Sequence, residues 1–214
     1  VHLPYLLNPK NLFNHHDDSG FTLLEVLVTV VLIGILGGLA APSWLSFVDI
    51  QRLNTAQGEV YSAIRQAQSQ ATKEKSTWQF SLRERNGIVQ WTVHKAEGTN
   101  FLPDAVRNND SLWHGLHPNI RIYQQRNDKD KSETTLPKQS SQPIWRVLFN
   151  YQGCPVYKVE DECTNTSLRT LGQITFYGQN SSKAQRCVYI STILGAMRTG
   201  KDHKKANKDS KYCY

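Results

Sequence analysis

The 214-residue chain has little that would mark an enzyme. It holds no C-x-x-C pair, no phosphate-binding P-loop and no G-x-S-x-G elbow, so thiol relays, P-loop nucleotide chemistry and hydrolase-type acyl transfer lack a local starting point. His114 and His117 stand three apart, but no acidic or cysteine ligand adjoins them, which leaves a zinc site short of ligands. Internal repeats and long low-complexity linkers are absent as well. The composition, 39% hydrophobic and 20% charged, is that of an ordinary globular protein. The expectation is a non-enzyme without metal or cofactor, built as one compact domain plus whatever its hydrophobic segment adds.

Long apolar runs are absent too, with one exception. In "DSGFTLLEVLVTVVLIGILGGLAAP", residues 18 to 42, the 21 residues from Phe21 to Ala41 carry a single charge, Glu25. As a helix this run rises roughly 31 Å, about the thickness of a bilayer's hydrocarbon core. A secretory signal would present a basic start, a short apolar core and small residues after it. Here the order is reversed: residues 1 to 20 are polar and of mixed charge, and the small residue Gly20 precedes the run. Cutting at Gly20 leaves the hydrophobic helix on the mature chain, with Glu25 as its fifth residue. An unpaired carboxylate in lipid costs about 2.5–3.5 kcal/mol at mid-bilayer and less near an end. The nearest candidate cation is an α-amino group freed at Phe21, its own or a neighbouring subunit's. The alternative is a plain signal anchor in which Glu25 is incidental.

Gly20-Phe21-Thr22-Leu23-Leu24-Glu25 resembles the class III signal of type IV pilins and type II secretion pseudopilins, and Pro42 falls where pilins place a helix-kinking proline. The resemblance extends from residue 14 to about 75. It implies removal of a leader, residues 1–20, by a prepilin peptidase, with N-methylation of Phe21. It also implies single-pass storage in the inner membrane through residues 21–42, and polymerisation with other pilins into a periplasmic or extracellular filament. In that filament Glu25 pairs with the neighbouring subunit's Phe21 amine.

Beyond Pro42, residues Trp44, Phe47, Ile50, Leu53, Val60, Ile64 and Ala67 recur mostly at intervals of three and four. They predict an amphipathic helix over 43–75 whose stripe packs on a sheet. From Ser76 the texture changes to alternating and β-branched segments. "STWQFSLRER" and "IVQWTVHKA" flank Asn86-Gly87, a strong hairpin signal. Further strands are predicted at 119–125, 144–151, 173–178 and 186–192, with loops at Thr99–Pro118 and Asn127–Pro143. The fold class is therefore α+β: a long N-terminal helix, transmembrane then amphipathic, packed on an antiparallel sheet or sandwich domain over 76–214.

The segment "RCVYISTILGAMRTG", residues 186–200, resembles the closing strands of the GspH/FimT group, where a Val/Ile strand leads to a Gly-Arg-x-Arg-like segment. In some members related to DNA uptake that segment contributes to DNA binding. Gly195 and Arg198 match it, while Ala196 stands where the first arginine would be. The resemblance implies a minor pilin, or alternatively a type II secretion pseudopilin.

Charge supports a special role for the end of the chain. The net charge is +7, and the first twenty residues hold one lysine against two aspartates, so the remainder carries +8. Between Arg198 and Lys211, six basic residues face only Asp202 and Asp209, a local +4. Arg198, Lys201, Lys204 and Lys205, with Gly195, are the candidate DNA or anion contacts. Tyr212 and Tyr214 offer stacking for single-stranded bases. The bland alternative is a solvated tail. The four cysteines, Cys154, Cys163, Cys187 and Cys213, all lie in the last third, which suits two disulfides in an oxidising compartment. A Cys187–Cys213 bridge would close the basic segment into a loop at about 3–4 kcal/mol in the chain-entropy model, with Cys154–Cys163 as the second staple; three connectivities are open.

Overall fold

The computed structural model describes residues 20–163 and 171–214, and for 39–42 and 181–183 the backbone alone; the leader expected at 1–20 lies outside them except for Gly20. The chain divides into two compact units, Val1–Ser43 and Trp44–Tyr214. Helix α1, Leu23–Glu74, begins in the first and ends in the second. By length and composition α1 is able to cross a membrane. Pro42 lies inside it.

In the second unit the stripe predicted for α1 is buried where the periodicity is densest. Leu53, Ala56, Val60, Ala63, Ile64, Ala67 and Ala71 are buried in one apolar cluster. The four alanines let the sheets approach the helix closely. Trp44 and Phe47 depart from the expectation and are exposed, because the buried helical positions begin only at Asp49 and Leu53.

Among the described residues nine strands form two antiparallel sheets. The strands are β1 Trp78–Arg85, β2 Ile88–Lys95, β3 His114–Gly115, β4 Ile120–Ile122, β5 Ile144–Phe149, β6 Pro155–Val156, β7 Gly172–Gly178, β8 Ser181–Ile190 and β9 Met197–Lys201. One sheet has the order β3-β2-β1-β5-β6 and the other β4-β7-β8-β9. The β1–β2 hairpin pairs Arg85 with Ile88. Asn86 and Gly87 both have positive φ, +53° and +71°, as a type I′ turn demands. The helix stripe shares its cluster with Phe80, Leu82, Trp145, Val147 and Phe149 of the first sheet and with Ile174, Phe176, Val188 and Ile190 of the second.

Two glutamines fix helix and sheets in register. Gln57 Nε2 donates to Cys187 O at 2.8 Å and Gly200 O at 2.7 Å. Gln68 Nε2 donates to Gly153 O at 2.9 Å and Gly195 O at 3.2 Å. Each satisfies two carbonyls that burial would otherwise strand.

The polar face of β1 is not left to water. Gln79, Ser81 and Arg83 alternate with Phe80 and Leu82, yet all three are buried. The stretch expected as a simple loop, Thr99–Pro118, carries the short helix α2 Asp104–Arg107 and a 3-10 turn, Asp110–Leu112. Its Leu102, Val106 and Trp113 cluster with Ile144. Arg83 bonds Gln90, the Arg107 carbonyl and Asp110, and lies 4.0 Å over Trp113. Arg146 donates to the carbonyls of Asn100, Phe101 and Tyr157 and lies over the Phe101 ring.

One titratable group sits in this network. His94 Nδ1 donates to Lys95 O at 2.9 Å, so Nε2 accepts the Ser81 hydroxyl at 3.1 Å, and Ser81 Oγ in turn accepts from Gln79. Burial, with Arg146 adding repulsion, holds the His94 imidazolium below its ordinary value. The unfolded chain therefore takes up this proton first, and the contribution is complete above about pH 6.5 and lost as pH falls below it. The urea midpoint of the fragment from residue 49 onward is expected to drop between about pH 7 and 5, and to drop less in His94→Gln; equal slopes would exclude this role.

Candidate functional site: an N-terminal assembly segment and a basic C-terminal lobe

The first region is the start of α1. Thr22 caps the helix: its Oγ1 accepts the Glu25 N–H at 3.2 Å, and its carbonyl accepts from Val26. Thr22-x-x-Glu25 is the spacing of a capping box, which places the Glu25 carboxylate at the positive end of the helix. Thr22 is a contributor that the motif reading passed over, although the spacing was in plain view. Gly20 has open space around it, and Phe21 is 81% exposed. None of the ion pairs among the described residues involves Glu25.

The second region is the end of the chain. What looked like a tail is folded: Met197–Lys201 is β9, in register with β8 through Arg198↔Tyr189 and Lys201↔Arg186. Lys201 and Tyr214 exchange backbone bonds, and His203 N–H donates to Tyr212 O, so the segment returns as a hairpin. Cys187 is bonded to Cys213 and Cys154 to Cys163. Gly200 is required by this closure, since a Cβ there would stand 2.7 Å from the Tyr214 carbonyl carbon and 2.9 Å from Cys187 Sγ.

Glu133 holds the return strand down. Fully buried, it accepts from Tyr212 N at 2.8 Å, Cys213 N at 3.4 Å and Asn127 Nδ2 at 2.9 Å. Two matching turns flank it. Asn127 Oδ1 accepts the Lys129 and Lys131 N–H groups, and Asn207 Oδ1 accepts those of Asp209 and Lys211, each at about the usual hydrogen-bond length. Asp130 and Ser210 take equivalent left-handed conformations, φ +56° and +58°. The turns are joined by Asn127 Nδ2 donating to Ser210 O at 2.8 Å.

The candidate cations divide into two groups. Arg198, Lys201, Lys204 and Lys205 are exposed, and none enters an ion pair among the described residues. Lys211 turns inward instead, donating to Thr135 Oγ1 and Gln173 Oε1. Its ammonium lies below the ordinary lysine value because of burial, against the opposing pull of Glu133 and Asp209. Gly195 has a packing role: at φ +77° a Cβ would come 2.5 Å from Gln68 Nε2 and 2.7 Å from Gly153 O. The tyrosines are engaged as well. Tyr212 Oη donates to Asp128, which raises its phenol above the ordinary value, and Tyr214 stacks on His203 at 3.8 Å. His114 packs against Trp91, His117 Nδ1 accepts the Asn119 N–H, and no group of ligands able to hold a metal exists among the described residues.

A family profile described as the prokaryotic N-terminal methylation motif matches residues 16–41. A relative, type II secretion system core protein G of Pseudomonas aeruginosa, is 43% identical over 44 residues, which is 21% of this chain and 31% of that protein. The match thus spans about a third of the relative's length. No solved structure matches the chain. The N-terminal segment is thus similar to the methylation motif, and 44 residues of the chain are similar to a type II secretion protein.

Replacing Glu133 with Ala strands two backbone donors and one amide, and is expected to cost about 2–4 kcal/mol in urea unfolding. The Cys187–Cys213 bridge should then open at lower reductant concentration, read by thiol labelling. Unchanged stability and reducibility would show that the disulfide alone holds the lobe.

Proposed function

We propose that this chain is a low-abundance filament subunit, a minor type IV pilin of the GspH/FimT kind. It is cleaved after Gly20 and methylated at Phe21 by a prepilin peptidase, held in the inner membrane by residues 21–42, and then inserted among other pilins. The observation that carries this reading is the conjunction of Gly20-Phe21 with a capped, unpaired Glu25 at the head of an exposed apolar helix that continues into a folded domain. An uncompensated carboxylate in an apolar run needs a cation, and a neighbour's Phe21 amine supplies one. Glu25→Val should be cleaved and retained in membranes yet lost from sheared filaments. Normal incorporation of that variant would refute the pairing.

The basic lobe gives this subunit an outward task. Exposed, unneutralised cations on a hairpin held by Cys187–Cys213 and Glu133 suit phosphate contacts without base recognition. Support for DNA capture rests on Arg198, Lys201, Lys204 and Lys205, with Gly195 shaping the preceding turn. If each cation meets one phosphate, the oxidised head should bind DNA with a log–log salt slope of about −3 to −4, and the fourfold alanine variant should lose it. Equal binding by both forms would leave the lobe a solubilising or subunit-contact surface.

The alternative is a pseudopilin of a type II secretion system, which the name of the Pseudomonas relative favours. That match leaves most of both chains uncompared, and a pseudopilin needs no DNA contact. Loss of exoprotein secretion with intact pili in a deletion strain would select this reading.

A further inference from the structure

Three large apolar side chains at the start of the second unit are left out of its core. Trp44, Leu45 and Phe47 are 66%, 66% and 51% exposed. Trp44 and Phe47, at i and i+3 on one face, pair their rings at 5.9 Å. The Trp44 indole N–H has no partner among the described residues, so a ring with an apolar body and an unused donor faces outward.

We propose that Trp44 and Phe47, with Leu45, form an interfacial collar that seats in the lipid headgroup layer on the non-cytoplasmic side and sets the depth of the helix before assembly. This rests on the membrane-anchoring part of the proposed function. From Val26 to Val48, 23 consecutive residues carry no charge, and the first ionised groups beyond, Asp49 and Arg52, pair at 3.1 Å. Along the helix contour Trp44 lies about 32 Å and Phe47 about 36 Å beyond Leu23. The hydrocarbon core is about 30 Å thick and the bilayer with headgroups about 40–45 Å, so both rings reach the far headgroup layer. That layer favours tryptophan, whose ring has one polar edge. Beyond Phe47 the exposed helix face turns polar at Gln51, and Asp49 is buried within its own unit.

The test uses the full chain in phosphatidylethanolamine–phosphatidylglycerol vesicles carrying a nitroxide quencher either on the headgroup or at mid-acyl chain. The headgroup quencher should remove a component of tryptophan emission more strongly than the mid-chain one, and that component should be missing in Trp44→Phe. Phe47→Ser should shift it toward solvent-like emission. If the chain sediments with vesicles but Trp44 is untouched by the headgroup quencher, or is quenched best at mid-chain, the collar is wrong and the face belongs to protein or to the hydrocarbon. Failure to sediment with vesicles would overturn the anchoring reading together with the collar.

Discussion

One helix has to satisfy two environments, and the organisation of the chain follows from that constraint. Over its first half α1 carries apolar side chains with no core to bury them, which is stable only against lipid or other apolar helices. Over its second half the same helix narrows its apolar surface to a stripe of small and branched residues, from Leu53 to Ala71, that two sheets bury. Gln57 and Gln68 add polar pins to that stripe, and each reaches carbonyls of segments distant in sequence. A slide of the helix by one turn would bury amides without partners, so these pins make the register specific beyond what apolar contact alone achieves.

Local pattern reveals part of this architecture. The apolar run, the helix end, expected at 75 and found at Glu74, and the Asn86-Gly87 hairpin are legible because a single period or turn determines each. Strands β4, β5, β7 and β8 follow from alternation, with shorter bounds in β4 and β5 than the pattern suggests. Strand β9 was hidden because "MRTGK" reads as charge, not alternation; its pairing comes from β8, the Cys187–Cys213 bridge and the space at Gly200. The cover over Gln79, Ser81 and Arg83 was hidden for a related reason. Polar residues on a strand predict water, and only the tertiary fold supplies Asp110, Trp113 and the Phe101 carbonyl as substitutes.

The candidate sites show the same division. Gly20, Phe21 and Glu25 fall within the matched methylation motif, and Thr22 adds a cap that the same six residues encode. The lobe was recognisable as charge but not as structure. Glu133 lies within "NDKDKSETT", where every neighbour argues for solvent, and its burial follows from the return strand that it holds. That strand sorts the cations, turning Lys211 inward and leaving Arg198, Lys201, Lys204 and Lys205 outward.

If Glu25 and Phe21 act together at a processed N-terminus, the mass of the N-terminal peptide reports it. Protein recovered from membranes of cells that carry a prepilin peptidase should begin at Phe21 and be heavier by one methyl group. An intact leader, or a terminus beyond Ala41 with the helix removed, would contradict this pairing, since Glu25 would then have no partner amine and the helix no place in a filament.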